Sequence, residues 1–243
     1  MISILIPIYN GIEFLNESIT SVLNQTYSEW EVIIGINGHH PNSDIYLNAR
    51  TYDNDKIHTY DLHTIKGKSN TLNRMVELSN YAYVAILDVD DVWLPTKLEK
   101  QVQFLQEHKF DYDVIGTHCQ YFGRSHKQPN ISFGKLDIRI FETVNTIINS
   151  SVIIKRELAY WDSNYESVED YELWMRLAAQ KKRFYNLSEV LVKHRIHTQS
   201  AFNSGNKQSG LIKRIKYIYY SKRFQLPSAN EFMSTYMACL PED

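Results

Sequence analysis

The chain contains few of the residues that mark several classes of protein. It has only two cysteines in 243 residues, Cys119 and Cys239. They form neither a disulfide framework nor the spacing of a zinc site, so we expect a reducing compartment. No apolar run reaches the roughly 18 residues that a membrane-spanning helix needs. The segment before Pro7 also lacks the basic start of a signal peptide. We therefore expect a cytoplasmic protein.

An excess of either charge is also absent. The 26 basic and 28 acidic residues give a formal net charge of −2, so we expect no nucleic-acid partner. No G-x-G-x-x-G motif occurs, which argues against a dinucleotide-binding dehydrogenase. No proline- or glycine-rich linker divides the chain. We therefore predict one domain over residues 1–205 and a helical extension over 206–243 that packs on it.

Strand and helix patterns alternate through the first part of the chain. Such alternation predicts an α/β protein with a Rossmann-like, mostly parallel central sheet flanked by helices on both sides. Apolar positions at helical spacing follow the first, third and fourth predicted strands. The predicted strands are residues 2–7, 31–36, 55–62, 82–87, 113–117, 151–155 and 190–194, and a helix is predicted over 170–181.

Two helix starts carry local signals. Asn10 followed by Glu13 has the spacing of a capping box, which predicts a helix beginning at Asn10. Pro95 suits the first turn of the helix predicted after the fourth strand, because a proline in that turn loses no hydrogen bond.

Three carboxylates follow the apolar run at residues 82–87. Asp88, Asp90 and Asp91 occupy three of four consecutive positions and would repel one another without a positive partner. Mg²⁺-type sites use one or two carboxylates together with substrate phosphates, and ligands of open α/β sheets bind beyond the carboxyl ends of the strands. The cluster therefore suggests a metal–diphosphate site. The alternative is a solvated loop in which Asp91 caps the next helix.

Five motifs in this order together resemble the nucleotide-sugar glycosyltransferases of family 2. They are the opening strand and turn, a second strand, a D-x-D segment with its trailing helix, an E-D motif and an R-x-H element. In this chain they occupy residues 4–10, 31–34, 87–101, 169–176 and 195–197. The resemblance covers about four-fifths of the chain and implies the GT-A fold.

The resemblance also implies catalytic and metal-binding roles. Asp88 would contact the ribose or diphosphate of the donor. Asp90 would ligate Mn²⁺ or Mg²⁺, with His197 as a further ligand. Asp170 would be the catalytic base of an inverting transfer. Glu169 is the weaker alternative for this base.

Further donor contacts follow from the same resemblance. The first loop and the turn after the second strand would bracket the nucleotide base, and basic side chains would reach the diphosphate. The expected nucleotide-sugar contacts, besides Asp88, are Pro7, Tyr9, Asn10, Asn37, Lys68, Val89 and Arg195, with Lys66 and Arg74 as further candidates for the diphosphate. The family usually has an acid where this chain has Asn37, so UDP is favoured but other nucleotides stay open.

These observations predict a metal-dependent inverting glycosyltransferase. It would move a sugar from a nucleoside diphosphate sugar to a hydroxyl of a glycan or glycolipid acceptor. One alternative is a sugar-phosphate nucleotidyltransferase, although the glycine-rich phosphate loop of such enzymes is missing after the first strand. The other alternative is a non-catalytic module that binds a sugar or a partner.

The C-terminal part is basic and amphipathic. No acid occurs between Val190 and Asn230, and apolar residues recur at helical spacing from Leu211 to Tyr219. A helix over 207–224 would either lie on an anionic membrane surface as a weak peripheral contact or dock its apolar face on the domain.

Overall fold

One mixed sheet of nine strands crosses the part of the chain that this computed structural model describes, residues 1–197 and 205–224. The strands are β1 (Ile2–Ile8), β2 (Trp30–Ile36), β3 (Ile57–Asp61), β4 (Tyr83–Ile86), β5 (Val92–Trp93), β6 (Val114–Gly123), β7 (Gly134–Leu136), β8 (Ile153–Lys155) and β9 (Phe184–Ile196). Their order is β3-β2-β1-β4-β8-β6-β9-β5, and β7 also pairs with β9.

Helices cover both faces of this sheet. They are α1 (Leu15–Leu23), α2 (Asp44–Arg50), α3 (Lys68–Leu78), α4 (Lys97–Glu107), α5 (Ile138–Thr143), α6 (Glu169–Ala179) and α7 (Gly205–Phe224). Buried residues of α1, α2 and α4 form one hydrophobic core with the sheet, and those of α3, α5, α6 and α7 form a second core. Alternate residues of β1 serve the two cores, as the pleat of a strand requires: Ile4 and Ile6 join the first and Leu5 the second. The predicted α/β fold class is confirmed.

The first four strands of the sheet place their carboxyl ends at one edge. β1 is parallel to both β2 and β4, and β3 is parallel to β2. These strands lie close to their predicted positions, because their apolar runs are short and their ends are marked by polar residues. Both β6 and β9 are longer than predicted. They pair with each other along β9 from Phe184 to Ile196, and such pairing between distant segments leaves no local pattern in the sequence.

Both predicted helix starts are wrong in detail. Gly11, with φ 87°, precedes a 3₁₀ turn at Ile12–Phe14, and no side chain caps that turn. A Cβ at Gly11 would lie 3.1 Å from Val89 Cγ1, so the close approach of two loops, rather than a capping box, shapes this segment. α4 begins only at Lys97, which leaves Pro95 outside the helix.

The helix α7 docks its apolar side on the second core. Ile215 is completely buried, and the Tyr219 hydroxyl donates a 2.6 Å hydrogen bond to Glu172 Oε1. Glu172 also pairs with Arg176, 3.1 Å away on the same helix. This packing favours the docked alternative for the C-terminal helix. Every helix within residues 1–197 and 205–224 is too short or too polar to cross a membrane.

Lys97, the first residue of α4, is fully buried. Lys97 places its Nζ 4.0 Å from the centre of the Trp93 ring and donates to Gln101 Oε1 at 2.7 Å. Burial lowers the pKa of Lys97 well below its ordinary value. In the unfolded chain this amine keeps its ordinary pKa, so the unfolded state binds more protons than the folded state between the two values.

We therefore predict that the free energy of unfolding rises with pH below about pH 10, by up to about 1.4 kcal/mol per pH unit from this group alone. The Lys97→Met variant should lack that part of the rise. Urea unfolding at pH 7, 8 and 9 measures both slopes. Equal slopes in the two proteins would mean that Lys97 keeps its ordinary pKa.

Candidate active site

A cleft of about 810 Å³ opens at the edge where β1, β2 and β4 end. Its walls are the loops after these strands, the turn before α3 and the end of β9. Ten residues that the sequence predicts to contact the donor or the metal line it: Pro7, Tyr9, Asn10, Asn37, Lys68, Asp88, Val89, Asp90, Arg195 and His197. The structure thus brings together ten side chains that are separated by up to 190 positions in the chain.

Asp88 is held by a lysine at the inner end of this cleft. Lys68 Nζ lies 2.6 Å from Asp88 Oδ1, and Asn149 Nδ2 donates to Asp88 Oδ2 at 3.3 Å. Burial raises the pKa of the Asp88 carboxyl, but the positive charge of Lys68 outweighs that effect and lowers it overall. Asp88 is therefore an ionised carboxylate with a fixed orientation.

Asp90 faces a histidine across the cleft. Asp90 Oδ2 lies 2.9 Å from His197 Nε2. Burial and the negative charges of Asp91 and Asp88 raise the pKa of Asp90, and a bound cation would relieve that repulsion. No three His, Cys, Asp or Glu side chains within residues 1–197 and 205–224 form a set that could hold a metal ion. Asp90 and His197 fit a cation that takes its other ligands from a substrate and water.

Asp91 ties the acid cluster to the end of β9. It is fully buried, its Oδ2 lies 2.9 Å from His194 Nδ1, and its Oδ1 accepts from the Arg195 amide at 2.9 Å. Burial lowers the pKa of His194, but the Asp91 carboxylate raises it to about 9 overall. The alternative in which Asp91 caps the next helix is therefore wrong, because its carboxylate anchors the strand that carries Arg195 and His197.

Arg195 lines the cleft, and its guanidinium is bound by other groups of the protein. Its Nε donates to the Asp90 carbonyl at 2.8 Å, and its Nη2 pairs with Glu17. The rings of Phe14 and Phe122 lie 4.5 and 4.2 Å from its guanidinium carbon. This arrangement orients the loop of Asp90 and keeps a positive charge beside it.

Asp170 lies in the first turn of α6, outside the residues that line the cleft. Its Oδ1 accepts from the Tyr171 amide at 2.7 Å and its Oδ2 from Asn145 Nδ2 at 3.0 Å. Burial raises the pKa of Asp170, and these two hydrogen bonds oppose that rise. The adjacent Glu169 is only 7% exposed, and burial raises its pKa to about 7.

Lys68 connects this acid pair to the cleft, a role that the sequence does not reveal. Its Nζ lies 3.9 Å from Glu169 Oε1 as well as 2.6 Å from Asp88. The Glu166 carboxylate fixes the start of α3 by accepting from the amides of Lys68 and Ser69, at 3.2 and 3.0 Å. Ser69 and Glu166 are 97 positions apart, so no local sequence pattern indicates this contact. The other candidate Arg74 pairs with Glu77 instead, at 2.6 Å, and does not line the cleft.

Comparisons with known proteins agree with this geometry. The profile described as Glycosyl transferase family 2 matches residues 3–161. The O-antigen biosynthesis glycosyltransferase WbnJ of Escherichia coli is 31% identical over 220 residues, 84% of this chain and 83% of the relative. The putative glycosyltransferase EpsE of Bacillus subtilis is 32% identical over 210 residues, 80% of this chain and 72% of the relative.

Solved structures show the same fold. The Staphylococcus aureus TarS 1-349 structure in complex with UDP-GlcNAc superposes with a TM-score of 0.74 at 17% identity, over 90% of this chain and 66% of that one. The mannosyltransferase PcManGT of Pyrobaculum calidifontis, in complex with GDP-Man and Mn²⁺, gives 0.62 at 14% identity, over 99% and 76%. The matches to the family model, to WbnJ and to EpsE favour a glycosyltransferase over a nucleotidyltransferase. This chain belongs to glycosyl transferase family 2 and is a glycosyltransferase with the GT-A fold.

Proposed function

We propose that the enzyme is a metal-dependent inverting glycosyltransferase that uses a UDP-sugar and a hydroxyl of a glycan or glycolipid acceptor. The observation that carries this proposal is the position of Lys68, between Asp88 in the cleft and the Glu169–Asp170 pair. The ammonium group of Lys68 thereby lies between a cleft suited to the donor and a carboxylate pair suited to accept a proton. The UDP-GlcNAc in the TarS structure supports the choice of donor.

The nucleoside diphosphate would lie along the cleft. Tyr9 and Asn37 line the part formed by β1 and β2, and Lys68, Asp88 and Asp90 line the part next to β4. Asp90 and His197 would hold Mn²⁺ or Mg²⁺, and the imidazole favours Mn²⁺. A cation bound there stabilises the negative charge that develops on the departing diphosphate. Mn²⁺ in the structure of PcManGT supports this assignment.

Asp170 would act on the acceptor. Its carboxylate takes the proton from the acceptor hydroxyl while the oxygen attacks C1 of the sugar and the bond from C1 to the diphosphate oxygen breaks. Attack from the side opposite the leaving group inverts the configuration at C1. The Tyr171 amide and Asn145 hold the Asp170 carboxylate in place, and Lys68 stabilises the negative charge of the site.

A donor screen tests this proposal. The purified protein is heated with UDP-, GDP-, CDP- and dTDP-sugars, with Mn²⁺ or with EDTA, and release of nucleoside diphosphate is measured alongside. We expect UDP-sugars with Mn²⁺ to raise the melting temperature most and to be turned over. The proposal fails if no nucleotide sugar raises it under either condition.

The acid pair predicts how the transfer rate depends on pH. Burial raises the pKa of Glu169 to about 7 and also raises the pKa of Asp170, and the two neighbouring carboxyls titrate as a coupled pair. Asp170 must be ionised to act as a base, so the transfer rate should rise as the pH increases through the raised pKa of Asp170. Glu169→Gln removes a negative charge beside Asp170 and should lower the midpoint of that rise by roughly one pH unit.

The measurement is kcat between pH 5.5 and 9. Glu157→Gln is the matched control, because Glu157 is exposed and lies outside the cleft. A midpoint that stays in place in Glu169→Gln would show that the two carboxyls do not titrate together.

A further inference from the structure

The part of the cleft formed by β2 and β3 contains a histidine that the sequence does not single out. Ile36 pairs with Asp61 in the parallel ladder, and the Leu62 amide donates to the Ile36 carbonyl at 2.9 Å. The residues that directly follow the two strands, Asn37 and Leu62, therefore lie opposite each other. His63 comes one residue later, and both Asn37 and His63 line the cleft.

An aspartate holds this histidine. The Asp61 Oδ1 atom lies 2.7 Å from His63 Nδ1 and accepts from the His63 amide at 3.1 Å. The His40 ring packs against the His63 ring, with centroids 5.6 Å apart. A carboxylate at Nδ1 keeps the proton of a neutral imidazole on that nitrogen, which makes Nε2 a hydrogen-bond acceptor. Nothing in residues 1–197 and 205–224 hydrogen-bonds to this Nε2.

Asn37, which lines the same cleft, cannot distinguish one pyrimidine from another. Its side-chain amide makes no hydrogen bond within the described ranges. An amide both donates and accepts, so by turning over it matches the ring edge of either uracil or cytosine. Tyr9, 58% exposed, lies against Gly38, where an added Cβ would meet its ring. The ring offers a face for stacking, which every base can use.

We propose that His63, oriented by Asp61, determines which base the enzyme accepts, an inference that rests on the proposed nucleotide-sugar function. Its Nε2 accepts a hydrogen bond from the ring N–H that uracil, thymine and guanine carry. Cytosine and adenine present a bare ring nitrogen at the corresponding edge, so two lone pairs would face each other. A site built to accept a proton rejects the base that lacks it more strongly than stacking can compensate.

Calorimetric titration with UDP and CDP in the presence of Mn²⁺ tests this assignment. We expect the native enzyme to bind UDP about tenfold or more tightly than CDP. His63→Ala should bring the two dissociation constants to within about threefold, mainly by weakening UDP. His126→Ala is the matched control, because His126 is exposed and lies outside the cleft; its preference for UDP should equal that of the native enzyme.

A double-mutant cycle tests the role of Asp61 as a positioning residue. Asp61→Ala should reduce the preference for UDP in the native background and have no further effect in the His63→Ala background. An unchanged UDP-to-CDP ratio in His63→Ala would overturn the inference while leaving the proposed function intact, and so would an equal effect of Asp61→Ala in both backgrounds. If the native enzyme binds neither nucleotide, the proposed function itself fails.

Discussion

Asp170→Asn is expected to lower kcat for sugar transfer by about 10²–10⁴, while the dissociation constant of the donor changes by less than about twofold. The amide has the size of the carboxylate, and its oxygen still accepts the hydrogen bond that the Tyr171 amide donates at 2.7 Å. It cannot take a proton from the acceptor hydroxyl. Asp170 lies outside the residues that line the donor cleft, so binding of the nucleotide sugar should survive.

The experiment measures kcat with donor and acceptor and, separately, donor binding by calorimetry. Asp137→Asn is the matched control: Asp137 is the N-cap of α5, and asparagine caps a helix as well as aspartate does. If Asp170→Asn keeps the native kcat and Glu169→Gln abolishes transfer, the base is Glu169. If both variants remain active, a carboxylate base in α6 is ruled out.

Asp90→Asn is expected to remove the dependence on a divalent cation and to lower kcat/KM by about 100-fold or more. Stabilisation of the leaving group by a metal is worth several kcal/mol, and each 1.4 kcal/mol corresponds to a factor of ten. Asp90 is the carboxylate closest to His197, at 2.9 Å, whereas Asp88 is neutralised by Lys68 and Asp91 by His194. Asp90 is therefore the acid in this cluster that most needs a cation.

Activity at increasing Mn²⁺ concentrations, with and without EDTA, measures this effect. EDTA should lower the activity of the native enzyme and of a control such as Asp137→Asn, but not the residual activity of Asp90→Asn. Without metal, Asp90→Asn should melt at or above the native temperature, because the amide removes the repulsion that raises the pKa of Asp90. Full Mn²⁺ activation of Asp90→Asn would contradict a ligand role for this residue.

Several residues that line the cleft have local signals in the sequence. An apolar run followed by polar residues marks the end of a strand, and parallel strands bring such ends to one edge. Pro7, Asn37 and Asp88 follow this rule for β1, β2 and β4. Their meeting in one cleft could therefore be predicted from the sequence.

Other features of the site depend on contacts between distant parts of the chain. The sequence offers Asp91 as a helix cap, but its carboxylate lies 2.9 Å from His194 Nδ1, 103 positions away in the chain. The sequence offers Lys68 as one of several basic side chains that could reach the diphosphate. Its contact with both Asp88 and Glu169 exists because Glu166 holds the start of α3.

The sequence by itself determined the alternation of strands and helices, the resemblance to its family and the residues at the strand ends, because periodicity and strand boundaries are properties of consecutive residues. The tertiary structure decided which carboxylates have a basic side chain beside them, which carboxylates still repel one another, and that His63 lines the same cleft as Asn37. Those outcomes depend on distances of a few ångströms across the sheet, and electrostatic and hydrogen-bond energies vary steeply over such distances.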